Sequence, residues 1–188
     1  MLSHRIDQNT ELKLLERHHA GAIFRLVDAN RDHLRPWFFW VDETKTVSDS
    51  EHFVQKALEG FARGTEIHLG IWVDGQMAGI VGAHTIDSIK SYAEIGYWLG
   101  ERFQGRGIVT RTVRTLIDDL LGERGLNRVE IRCAASYRRS QAVAERLGFR
   151  REGRLKKAIP IRDGFEDLLL FGMLAEEWRT GKGEGAGR

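Results

Sequence analysis

The 188 residues carry 41% hydrophobic and 30% charged side chains, the mixture of a chain with a single ordinary core, which excludes a disordered or fibrous class. Net charge is only +2 with Lys and Arg spread along the chain, so no basic stripe for nucleic acid is expected, and no run approaches the ~18 apolar residues of a membrane span. Cys133 is the only cysteine, which rules out an intramolecular disulfide, and Met1 to Thr10 lacks an apolar leader, so the expected compartment is the cytoplasm.

Hydrophobic spacing predicts a short strand over Glu11 to Leu15 and a helix over His19 to Asn30, with Ala22, Ile23, Leu26 and Val27 on one face. Trp37, Phe38, Phe39 and Trp40 follow as an aromatic cluster too apolar for a free loop. Ser48 and Glu51 form an S-x-x-E capping box, and the spacing of Val54, Ala57, Leu58 and Phe61 carries a helix to Gly64. A hairpin then pairs Glu66 to Val73 with Gln76 to Ile86 across the Asp74-Gly75 turn. Tyr92 to Leu99 is a strand, and Gly100 to Gly107 opens into a helix with the face Val109, Val113, Leu116, Ile117 and Leu120. Arg128 to Ala134 reads as a strand containing Cys133 as a small buried thiol, and Arg138 to Leu147 reads as a helix stopped at Gly148. Strands near Arg154 to Ile161 and Glu166 to Met173 flank an Asp163-Gly164 turn, and the Gly-rich segment 181–188 is expected to be disordered after a single domain over 1–180.

Chemistry starts where the Tyr97 strand opens through glycines into a helix. Such a junction aims free N–H groups and the positive end of the helix dipole at one spot, and Arg102, Arg106, Arg111 and Arg114 stand around it. A diphosphate suits that seat; a plain glycine turn with solvated arginines is the competing reading. The nucleotide P-loop is excluded because Gly-Lys-Ser/Thr is absent, and the dinucleotide fingerprint fails at Thr110, which leaves a dinucleotide-dependent oxidoreductase as the weakest alternative.

Several segments resemble the GNAT superfamily of acyl-CoA N-acyltransferases, and within it the RimJ/RimL-like branch. Gln104 to Val109 is similar to the superfamily's Q-x-x-G-x-G/A, and Ala93 to Leu99 looks like the strand that precedes it. Leu34 to Trp37 with Trp40 to Asp42, Ala142 to Phe149, and Gly164 to Asp167 extend the likeness in order along nearly the whole chain.

The resemblance implies an α/β fold: a mixed, mostly antiparallel twisted sheet of six or seven strands, flanked by about four helices, with a splayed central pair, here Tyr92 to Leu99 and Arg128 to Ala134. It implies acetyl-CoA as co-substrate, with Trp98 and Leu99 pairing with the pantetheine arm and Gln104, Gly105, Arg106, Gly107, Ile108, Val109 and Thr110 taking the diphosphate. Ser140 stands beside the same cofactor. The acceptor implied is a primary amine, foremost a protein N-terminal amine, with a small-molecule amine or a non-catalytic CoA sensor as alternatives. The sequence departs from the family pattern at Val109 for Gly/Ala, at Tyr137 for Asn, and at Ala144 for a Tyr proton donor.

Amine acetylation needs a proton acceptor, an oxyanion donor and a proton for the departing thiolate. Glu94 is the first choice of base, with His84 and His68 in reserve; each could equally be a paired or packed group. Ser140 is the preferred proton donor and Tyr137 the second, although Ser140 could simply cap its helix. A main-chain N–H near Leu99 is expected to hold the oxyanion. The resemblance places Trp37 and Trp40, with His84, at the acceptor site, although such a ring cluster is more often part of the core. The seven histidines show no ligand spacing, so no metal is expected, and a homodimer is allowed.

Overall fold

The computed structural model describes residues 3–161 and 164–185. One eight-stranded sheet organises the chain, in the order β1-β2-β3-β4-β5-β6-β8-β7. Its strands are β1 (Ser3–Arg5), β2 (Thr10–Leu14), β3 (Ile67–Val73), β4 (Gln76–Asp87), β5 (Tyr92–Leu99), β6 (Arg128–Ala134), β7 (Arg150–Ile161) and β8 (Gly164–Leu174). The helices are α1 (Ala20–Asp28), α2 (Arg31–Leu34), α3 (Val47–Arg63), α4 (Ile108–Ile117), α5 (Arg138–Arg146) and α6 (Ala175–Gly185). All pairings are antiparallel except β5 with β6.

The strands beyond the seven read from pattern come down to β1, whose residues are all exposed and carry no alternation. Of the helices beyond four, α2 is a single turn, and α6 enters the Gly-rich segment expected to be disordered from 181; residues 186–188 of that segment lie outside the described residues. Asp163 of the expected Asp163-Gly164 turn also lies outside them.

Local chemistry accounts for the boundaries. Asp74 and Gly75 both take positive φ, 49° and 73°, the twist a two-residue hairpin needs, and Val73 pairs with Gln76 across them. The α3 cap sits two residues before the expected Ser48/Glu51 pair: Thr46 and Asp49 form the capping box, with Thr46 N donating to Asp49 Oδ2 at 2.7 Å. Both pairs fit the motif, but only Thr46 has the extended backbone of an N-cap, φ −138° and ψ 166°. The backbone hydrogen bonds of α4 loosen after Ile117 into a π-helical stretch, Asp118–Glu123, where Trp178 Nε1 of α6 donates to Asp118 Oδ1 at 2.6 Å.

The core lies on both faces of the sheet. Helices α1 and α3 pack together over β3 and β4, while α4 and α5 pack over β4, β5 and β6. Adjacent residues of β5 show the two sides: Tyr97 reaches Ser140 of α5, whereas Trp98 meets Trp40, 5.7 Å between ring centroids, on the other. Cys133 is buried between these layers and burial pushes its thiol pKa up, as fits a packing residue. Among the described residues, no helix is long and apolar enough to cross a membrane.

Candidate active site

Strands β5 and β6 pair from Tyr92↔Arg128 to Ile95↔Ile131 and then part. Beyond that point β5 keeps its β4 partner as far as Leu99, and β6 keeps β8 as far as Ala134. The inner edges of Gly96–Leu99 and Arg132–Ala134 therefore face a gap, and their main-chain groups there are available to a bound molecule. A β-bulge in β4 lies at the same level: Ala83 faces Ile95 and Thr85 faces Glu94, so His84 is the extra residue. Bulges bend a strand and add local twist, which turns β5 away from β6 where the fork opens.

At the wide end of the fork, Gly105 and Gly107 take φ of 73° and 68°, and Gly107 is the N-cap of α4. No side chain caps this helix. The amides of Ile108, Val109 and Thr110 therefore point into the opening with the positive end of the dipole behind them. A cleft of about 650 Å³ runs from this turn along Tyr97, Trp98 and Leu99 to Tyr137 and Ser140 of the α5 start. Its walls hold Gln104, Gly105, Gly107, Ile108, Val109 and Thr110 of the predicted cofactor residues; the Arg106 side chain is not among them, its carbonyl instead accepting from Arg111 Nη1 at 2.9 Å. Val109, counted from periodicity as a core position, is half-buried and faces this cleft.

The arginines divide. Arg111 lines the cleft and reaches Asp7 Oδ2 at 3.1 Å; Arg139 and Arg146 of α5 join it from the opposite wall. Arg102 instead donates to Gln76 Oε1 at 2.6 Å, and Arg114 lies over the Trp178 ring, 5.3 Å from its centroid. Gln104 is held on both sides of its amide: Oε1 accepts from Arg139 Nη1, and Nε2 lies 2.7 Å from His33 Nε2. Burial lowers the His33 pKa, which keeps this ring neutral and able to accept from Gln104.

Ser140 is buried, and its Oγ lies 3.0 Å from the Tyr97 hydroxyl, which also donates to the Ser140 carbonyl at 3.1 Å. The N-cap of α5 is Tyr137, which makes no side-chain capping bond, and the Ser140 side chain also hydrogen-bonds the Cys133 thiol. Burial raises the Tyr97 phenol, and pushes Tyr137 up to about 12, so both stay protonated at neutral pH. Tyr137 stacks flat on Trp37, 4.1 Å and 6° between rings, and meets Phe38 edge-on. Trp37, Phe38 and Trp40 are half-buried and are not among the residues that line the cleft.

On the Trp98 face, Glu94 Oε1 lies 3.1 Å from His84 Nε2 and its Oε2 3.3 Å from Arg132 Nε. Burial pushes the Glu94 carboxyl up, but the hydrogen bond from His84 and the charges of His84 and Arg132 outweigh it and hold the group below its usual range. His68 pairs with Glu66 at 3.0 Å under the edge of Phe53, the packed, hydrogen-bonded state of a strand histidine. Among the described residues, no His, Cys, Asp and Glu side chains cluster in a way that could hold a metal ion.

Pattern reading passed over Tyr97, Arg132, Arg139 and His33. The phenol of Tyr97 was the available signal, since a buried hydroxyl needs a partner. The other three depend on contacts between distant elements.

This geometry has close counterparts. The acetyltransferase (GNAT) domain model matches residues 9–150. The chain is 30% identical over 183 residues to YdaF of Bacillus subtilis (strain 168), whose name marks it as a candidate ribosomal N-acetyltransferase, covering 97% of this chain and 100% of that one. To the ribosomal-protein-serine acetyltransferase of Escherichia coli (strain K12) it is 27% identical, covering 92% and 96%. The solved structure of RimL, a ribosomal L7/L12 alpha-N-protein acetyltransferase in complex with coenzyme A, matches with a TM-score of 0.89 and 26% identity, over 92% of this chain and 98% of that one. Microcin C7 self immunity acetyltransferase MccE, in complex with acetyl-CoA and AMP, matches with 0.86 and 29%, over 90% and 94%. Forked strands and an uncapped glycine turn, in a chain matched nearly end to end by CoA-bound structures, make this protein a member of the GNAT family and an acetyl-CoA-dependent N-acetyltransferase with RimL/RimJ-like relatives.

Proposed function

We propose that the amine acetylated is the N-terminal α-amine of a protein. The observation that carries this reading is the likeness over nearly the whole chain to ribosomal-protein N-acetyltransferases. Acetyl-CoA supplies the activated acetyl thioester. The α4 amides and Arg111 hold its diphosphate, and the free edge of Gly96–Leu99 holds its pantetheine arm, which sets the thioester at the fork between Ser140 and Glu94. Trp37 and Tyr137, stacked on each other, wall the acceptor entrance with Trp40. A main-chain N–H near Leu99 steadies the oxyanion, Ser140 Oγ gives a proton to the departing sulfur, and the amine sheds its proton toward the Glu94 side of the site.

A small-molecule amine is the second reading, favoured by the likeness to MccE, whose structure holds AMP. Incubating a proteome and its small-molecule fraction with the enzyme and isotope-labelled acetyl-CoA, followed by mass spectrometry, separates the two. The expected result is label on the α-amines of one or a few protein N-termini. Label confined to small molecules would overturn the protein-acceptor reading.

A further inference from the structure

Glu94 and His84 form one unit in the folded chain. We propose that His84 is the catalytic base, accepting the amine's proton on Nδ1, and that Glu94, fixed by Arg132, is the positioning residue that holds its ring. This rests on the acetyl-transfer reading above and divides the roles on its acceptor side.

Geometry sets the division. Both Glu94 oxygens are engaged, Oε1 with His84 and Oε2 with Arg132, and the side chain is only 18% exposed. With both oxygens engaged, Glu94 has none left to meet an incoming amine, whereas the ring it holds keeps a second nitrogen. The ring nitrogen facing a carboxylate carries the hydrogen, so in neutral His84 Nε2–H donates to Glu94 and Nδ1 keeps a lone pair. That nitrogen lies over Gly96: a Cβ built there would sit 3.4 Å from it. Gly96 is the first β5 residue past the last β5–β6 pair, so the lone pair sits at the mouth of the fork. The β4 bulge is what aims His84 there, and its side chain, 46% exposed, can pass a proton to solvent.

The charged groups around the ring are Glu94 from β5, with Arg132 of β6 behind it and shared with Glu130, the β6 residue in register with Glu94, and His68 of β3, itself paired with Glu66. In the balanced reaction the amine's first proton goes to His84 Nδ1 and on to solvent. Its second offsets the proton that Ser140 Oγ gives to sulfur, so one proton is released per amide formed.

The test is kcat/KM against pH with Ser- and Ala-starting peptides and small amines, using whichever acceptor the parent enzyme turns over. His84→Gln should lower kcat/KM roughly 50-fold at pH 7, lose the acid limb of the parent's profile, and close to within about 5-fold of the parent at pH 10, where the amine arrives neutral. Acetyl-CoA affinity should not change. Glu94→Gln should cost about 10-fold in kcat while keeping a shifted limb. A His84→Gln deficit that is the same at every pH, or loss of the limb in Glu94→Gln alone, would overturn the assignment. Turnover of small amines but not of peptides would instead remove the protein acceptor and leave the His84 result standing on its own.

Discussion

Replacing Gly107 with valine should raise the dissociation constant of acetyl-CoA about 1,000-fold, read by isothermal titration calorimetry. Gly107 holds φ at 68° as the N-cap of α4, a conformation that costs an L-residue ~1–2 kcal/mol and a β-branched one more. A Cβ there meets Arg111 Nη1 at 3.1 Å, so the new side chain also crowds the cation beside the seat. Displacing the diphosphate from two charge-assisted hydrogen bonds, at ~2 kcal/mol each, gives about 4 kcal/mol, which is the 1,000-fold. The turn is exposed, so the ligand-free melting temperature should fall by only about 2–8 °C. An affinity within threefold of the parent would remove the turn from the binding site.

The second large effect is catalytic. Ser140→Ala should lower kcat about 1,000-fold with acetyl-CoA affinity within a few-fold of the parent, measured by thiol release and by calorimetry. The hydroxyl lies against Tyr97 at the inner end of the cleft, and the Tyr97 phenol retains the Ser140 main-chain carbonyl as its acceptor after the substitution. The buried Cys133 thiol loses only a weak hydrogen bond to the Ser140 side chain, so the fold should hold and the loss should fall on chemistry. A kcat within fivefold of the parent would transfer the donor role to Tyr137 or to water.

Strands β5 and β6 were legible residue for residue, because buried Ala93 and Ile95, and Val129, Ile131 and Cys133, recur at every second position. The Asp74-Gly75 turn and the glycine turn before α4 were legible for a related reason: a positive φ leaves its mark in the residue type itself. Strand β1 left no such mark, since Ser3, His4 and Arg5 are all exposed, and α6 starts on a short polar stretch, with Trp178 its one large apolar residue, before running into the Gly-rich segment.

The site divides along the same line. The diphosphate seat lies within one stretch of chain, so its residue spacing sufficed. The Glu94, His84 and Arg132 constellation needs three strands in register and a bulge that shifts β4 by one residue at His84. Alternation within one strand places Glu94 on a face but cannot name its partners. Likewise, Tyr97 reads as a core position until α5 brings Ser140 within 3.0 Å of its hydroxyl.

Amide chemical shifts of the isotope-labelled protein, followed while coenzyme A is added, test the cofactor seat most directly. The largest changes should fall on Gly105 to Thr110, where the helix start meets the diphosphate, and on Gly96 to Leu99, where the free strand edge meets the pantetheine arm. Shifts confined to other parts of the surface, such as the hollow between Arg114, Arg150 and Trp178, would contradict it.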